Sequence, residues 1–328
     1  MSGARDNACK VTHPGIHQGR AARLRWPTAV AALAIALALP VPGALAQDAE
    51  ETLDEESVPQ AGIVGEAGYA WQGKADIDGG GDMSVNRFDV GLLGRLDLMD
   101  RVRWQNSFFF SVNDYDFGGG GFGAGDPWNT IMTMRMVTQL RYALTDQWGI
   151  SAGGVFIFSP ESGANWGDSF SGGGLLGVDY TMSKTLFVSL GAAVISQIED
   201  DARITPSIIL NWVPRQNWAV RVGAVPASGG AAAAGEVAYK LAEPVEIGLG
   251  LLYNQRRFRL NDDGVGEDNN MPLRLRLGWC ITDQISLNLL AGVALAGDVQ
   301  IDDSRGNTLN DQDYDPAPYI GARFVGGF

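Results

Sequence analysis

The chain has 328 residues, a net charge of −14 and 44 glycines, and 45% of its residues are hydrophobic. So acidic a balance excludes nucleic acid and anionic phospholipid as electrostatic partners, because binding either requires clustered Lys and Arg. Both histidines, His13 and His17, fall within the first 17 residues.

Residues 1–46 read as a cleaved signal peptide. Lys10, Arg20, Arg23 and Arg25 form a basic region, residues 28–39 are an apolar run, and Ala44-Leu45-Ala46 is a small-x-small cleavage site. The apolar run of 12 residues is shorter than the roughly 20 that a membrane-spanning helix needs. Removing this segment takes away five basic residues and one acid, which moves the net charge from −14 to −18, and it leaves no histidine. Residues 47–60, with Asp48, Glu50, Glu51, Asp54, Glu55 and Glu56, read as a disordered acidic periplasmic tail.

From Ala61 to the end the pattern changes to segments of about ten residues that alternate apolar with small or polar, which is a strand signature. Fourteen strands are expected, starting at Ala61, Asn86, Val102, Ile131, Trp148, Gly173, Leu186, Ile204, Trp218, Gly235, Val245, Leu273, Ile285 and Tyr319. Twelve is the alternative if the Gly173 and Gly235 segments do not form. In the fourth strand Met132, Met134, Met136, Leu140 and Tyr142 share one face, and Thr133, Arg135, Gln139 and Arg141 the other. In the twelfth, Leu273, Leu275, Leu277 and Trp279 oppose Arg274, Arg276 and Gly278. An apolar face toward lipid and a polar face toward a lumen is the pattern of a transmembrane barrel.

Tight turns at Met99-Asp100, Thr145-Asp146, Ser183-Lys184, Arg215-Gln216, Glu243-Pro244 and Thr282-Asp283 alternate with longer Gly- and Asp-rich loops at 73–83, 117–128, 159–171, 197–203, 261–270 and 302–315, and a shorter one at 226–230. Short turns at one end and long loops at the other fit an up-and-down antiparallel barrel over 61–328, and an even strand count puts both termini on the periplasmic side. Trp104, Trp148, Trp212, Trp218, Tyr239 and Trp279 fall toward strand ends, where membrane interfaces collect aromatic rings.

The last segment carries Ile320, Phe324 and Phe328 on its apolar face, with Phe328 terminal. It resembles the C-terminal assembly signal of bacterial outer-membrane β-barrels, departing from it at Gly326. Together with Asp262-Asp-Gly-Val-Gly-Glu-Asp268 and Asp313-Tyr-Asp-Pro-Ala-Pro318, the chain is similar to an uncharacterised, porin-like family of such barrels known only as a domain of unknown function. The resemblance implies residence in the cell outer membrane, contact with its lipid and lipopolysaccharide, and handling by the barrel-assembly machinery. It implies no activity.

Chemistry is sparse. Without histidine, the proton-transfer arrangements of hydrolytic barrels are excluded, and the glycine runs lack the GK[ST] of a phosphate-binding loop, so neither an enzyme nor a cofactor is expected. Arg135, Arg141, Arg221, Arg256, Arg274, Arg276, Asp89, Asp97 and Glu246 are expected to line the lumen. Asp262, Asp263, Glu267 and Asp268 in one expected outer loop, and Asp311, Asp313 and Asp315 in the next, are candidate divalent-cation ligands without EF-hand spacing. The leading expectation is a passive porin-like channel for small solutes with a charged lumen. A non-conducting structural or adhesive barrel with acidic loops is the alternative. A hydrophobic-ligand transporter ranks third, for want of a long N-terminal plug ahead of the first strand.

Overall fold

A computed structural model describes residues 61–120, 122, 126–227 and 230–327. The expected signal peptide, its cleavage site, the acidic tail and Phe328 lie outside the described residues. Fifteen strands form one antiparallel sheet: β1 (Ala61–Asp76), β2 (Asp82–Met99), β3 (Val102–Gly118), β4 (Thr130–Ala143), β5 (Trp148–Phe158), β6 (Phe170–Ser183), β7 (Leu186–Gln197), β8 (Asp200–Arg215), β9 (Trp218–Ala227), β10 (Gly230–Ala242), β11 (Val245–Arg259), β12 (Val265–Thr282), β13 (Ile285–Asp302), β14 (Thr308–Tyr314) and β15 (Ala317–Gly327). From β1 to β14 each strand pairs with its sequence neighbour, β15 pairs with β13, and β1 pairs with β15 through Val64↔Gly327 to Gln72↔Tyr319.

The wall therefore closes on itself with fourteen staves. The extra strand arises because the last stave is broken at Asp315-Pro316: β15 pairs with the lower half of β13 and β14 with its upper half. Proline removes a ladder donor and is tolerated where a strand is interrupted.

The expected strands all form, and each tight turn is where the alternation placed it. The loops differ. Residues 265–270 belong to β12 and 308–314 to β14, and the expected loop at 197–203 is a two-residue turn in which Glu199 has a φ of 49°. Acidic and glycine-rich composition mimics a loop, yet the strands run on past the wall.

Between the turns the wall obeys period two. Leu176, Leu190, Leu249, Leu275, Ile320 and Phe324 are exposed, whereas Glu66, Asp89, Arg135, Asp179, Glu236 and Arg276 are buried inside. Rings cluster toward the short-turn end, with Trp148 4.4 Å from Tyr180 and Trp218 5.0 Å from Tyr239. An apolar outer face ending in an aromatic girdle is what a bilayer selects. No described helix is long and apolar enough to cross a membrane; the strands do so.

Candidate functional site: a lid across the mouth and an ion-paired lumen

The β11–β12 hairpin leaves β10 while its returning strand stays paired with β13 as far as Val265↔Asp302. Up to Ala233↔Tyr253 β11 pairs with β10, and then it has no further β10 partner. Beyond that point the alternation stops. Asn254, Gln255, Arg257, Phe258, Arg259 and Leu260 are buried in near succession, as are Val265 through Asn270. A wall strand buries every second residue, so a hairpin buried on both faces has protein on both sides.

On its β11 side the partners lie across the barrel. Arg259 bridges Pro160, just past β5, with Arg259 N–H donating to Ser159 O at 2.9 Å and Glu161 N–H to Arg259 O at 2.7 Å. β5 is six staves from β11 in a ring of fourteen, so the hairpin spans the mouth nearly along a diameter. A register shift between Asn270 and Pro272, opposite β13, sits where the hairpin bends inward, as bulges do where a strand changes course.

Two sets of polar contacts fix this lid. On one side Asp268, fully buried, accepts from Tyr115 Oη at 2.7 Å, Arg256 Nη1 at 2.7 Å, Tyr314 Oη at 3.2 Å and Arg87 Nη2 at 3.3 Å. Arg87 also donates to Gln72 at 3.0 Å. On the other side Arg257 holds Asp302 at 2.8 Å and Glu267 at 3.2 Å and donates to the carbonyls of Ile198 and Glu199. Arg259 binds the Glu199 carboxylate and donates to the Asp263 carbonyl at 2.7 Å. Between these sets an apolar cluster fills the mouth: Met83, Val85, Tyr115, Trp128, Ile131 and Phe258, with Phe117 and Phe122 against it. Trp128 meets Phe258 edge-on at 5.0 Å.

Below the lid the lumen carries charges in groups. Arg276 binds Glu236 and Glu246 and donates to Asn288 at 3.1 Å, and Arg221 closes the group on Glu246 at 3.0 Å. Arg323 lies 3.0 Å from Asp89 and 3.4 Å from Glu66. Arg141 holds Asp179 at 3.0 Å and lies over the Phe187 ring, while Arg135 lies over Phe109. Asp97 pairs with Arg103 near the short turns. Arg274 projects inward between the first two groups, flanked by Gly250 and Gly292 on the neighbouring strands. A separate apolar patch, Val155, Ile157, Ala193 and Ile195 with Val137 and Leu175, covers the inner wall of β4–β7.

The residues read from sequence as lumen-lining thus divide between two places. Arg256 belongs to the lid, and the others line the barrel below it. The acidic candidates divide too. Glu267 and Asp268 are not loop residues but buried ion-pair partners on β12; Asp262 and Asp263 lie on the lid's turn, Asp311 and Asp313 on β14, and Asp315 at the stave break. Among the described residues no group of three or more His, Cys, Asp or Glu is arranged to hold a metal ion. Arg87, Tyr115, Arg257, Arg259 and Phe258 escaped the sequence reading. The signal was Gln255-Arg-Arg-Phe-Arg-Leu260, where adjacent charges break period two.

Comparison with known proteins finds no match among curated sequences. Among solved structures the chain is similar to the Pseudomonas putida toluene transporter TodX, at 9% identity and a TM-score of 0.46 over 84% of this chain and 91% of that one. It is also similar to a Pseudomonas aeruginosa FadL homologue, at 10% identity and 0.47 over 83% and 90%. The Ralstonia pickettii toluene transporter TbuX gives 9% and 0.42 over 81% and 90%. A family model described as "Domain of unknown function (DUF6268)" matches residues 129–325. Since that span is more than half of the chain, this barrel of fourteen staves belongs to the DUF6268 family.

Proposed function

We infer that the barrel sits in the outer membrane with its short turns toward the periplasm and passes small hydrophobic solutes through a gated lumen, with no enzymatic role. The lid carries this reading. A general-diffusion pore keeps a standing water-filled mouth, whereas here the mouth is occupied by a hairpin packed on an aromatic and aliphatic cluster. Such a lining offers an apolar solute contacts that it denies to hydrated ions. The β4–β7 patch extends that lining below the lid.

The test is uptake of the neutral apolar dye 1-N-phenylnaphthylamine by proteoliposomes carrying the refolded barrel, beside planar-bilayer conductance in KCl. Faster dye entry than in empty liposomes, with little standing current, is expected. A large standing current with dye entry no faster than in empty liposomes returns the barrel to the porin class.

A further inference from the structure

The charged groups of the lumen are not equivalent. Arg276 is held by two carboxylates and an amide, Arg221 by two carboxylates and Arg323 by two. Arg274, on the same strand as Arg276 and two residues away, makes no hydrogen bond and no ion pair among the described residues, and its Nε is buried without a partner. Its electrostatic neighbours are the Tyr319 hydroxyl and Glu236, and beyond them two further cations, Arg323 and Arg276. Glu236 is already bound to Arg276 and Arg221. An arginine inside a membrane barrel whose one carboxylate neighbour is already engaged is costly, and such a residue marks a ligand or ion site.

The residues opposite Arg274 on both neighbouring strands are Gly250 and Gly292. Glycine is required at 292 for the backbone itself, because a Cβ there would lie 2.0 Å from the Leu273 carbonyl oxygen. Neither cross-strand neighbour of Arg274 therefore has a side chain of its own, and the stem of Glu236 lies over Gly250. Seven staves away, across the lumen, β5 presents Val155 and Ile157 of the apolar patch.

We propose that Arg274 is the anion-binding residue of the lumen and takes the carboxylate of a small organic acid whose apolar body lies toward the β4–β7 patch. This rests on the hydrophobic-solute reading and narrows its substrate class to amphipathic monocarboxylates. A guanidinium presents paired N–H donors that match a carboxylate, and such charge-assisted bonds are roughly twice as strong as neutral ones. Arg276 cannot take this role without surrendering Glu236 and Glu246.

The experiment compares benzoate with its neutral relative benzyl alcohol, by isothermal titration on the full-length barrel refolded in detergent. The wild type is expected to bind benzoate about tenfold more tightly, the increment of roughly one charge-assisted bond. Arg274→Gln should abolish that preference by weakening benzoate binding about tenfold, and Arg274→Lys should retain part of it. Heat-modifiable migration of each variant certifies a folded barrel. Equal affinities in the wild type, an unchanged preference in Arg274→Gln, or displacement of benzoate by equimolar inorganic phosphate would each overturn the assignment. Loss of the charge preference with dye uptake intact removes this inference alone. A preserved preference without dye uptake removes the transport reading and leaves an anion site.

Discussion

Asp268 offers the most direct test of the lid. It accepts from two arginines and two tyrosines that come from the lid itself, from β2, from β3 and from β14. Asp268→Ala leaves Arg87 and Arg256 facing each other in the interior without their shared counter-charge. Removing one partner of a buried ion pair costs about 3–5 kcal/mol. A lid held shut by about 4 kcal/mol leaves about one barrel in a thousand open. Loss of 3–5 kcal/mol raises the ratio of open to closed by roughly 150- to 5,000-fold, so a population of rare openings becomes one in which a large share of barrels is open. The assay is single-channel conductance in planar bilayers, with heat-modifiable gel migration to show that the wall is intact. Wild-type protein should give sparse, brief events and Asp268→Ala long-lived current, with Asp268→Asn between them because the amide oxygen still accepts from Tyr115. A folded Asp268→Ala barrel with wild-type current would refute the lid as the element that shuts the mouth.

The opposite manipulation should lock the barrel. Asn261 donates to the Ser162 carbonyl at 2.9 Å, so the double variant Ser162→Cys, Asn261→Cys is expected to suppress dye uptake under oxidising conditions and to recover it with reductant. Gly173 lies where a Cβ would come 1.8 Å from the Val194 carbonyl oxygen; Gly173→Ala must move backbone, at about 1–3 kcal/mol, and should lower the urea midpoint of the refolded barrel in detergent. Leu275 faces the lipid in the middle of its strand, and Leu275→Arg should cost about 2–4 kcal/mol, read as a loss of folded, heat-modifiable barrel in lipid vesicles.

What was legible in the sequence is the part of the chain that obeys one rule. In the fourth and twelfth staves every second residue meets lipid, so alternation at Met132, Met134 and Met136, or at Leu273, Leu275 and Leu277, reports the wall directly. The tight turns are equally local: the Thr145 hydroxyl accepts the N–H groups of Gln147 and Trp148, and the Thr282 hydroxyl those of Gln284 and Ile285. Each is a side-chain-to-backbone turn written within four residues. The lid is not of this kind. Asp268 is separated by 153 residues from Tyr115 and by 181 from Arg87, and no local pattern carries the fact that these meet.

Composition misleads at the same place for a physical reason. In water, Asp262-Asp-Gly-Val-Gly-Glu-Asp268 is the composition of a solvated loop. Inside the mouth of this barrel, Glu267 and Asp268 can be buried because Arg87 and Arg257 are buried beside them and the partly buried Arg256 reaches Asp268. The clue available beforehand was a pairing of two oddities on one hairpin: arginines at 256, 257 and 259 that break the alternation on the rising strand, and carboxylates at 267 and 268 that break it on the returning one. A hairpin with opposite charges on both faces of both strands has no lipid-facing side. Held among the aromatic rings of the mouth, such a hairpin pairs its own charges through Arg256–Asp268 and Arg257–Glu267 and finds the rest in Arg87, Glu199 and Asp302 around the mouth. The same charges that would make it a poor stave make it a latch that water and ligand can compete for.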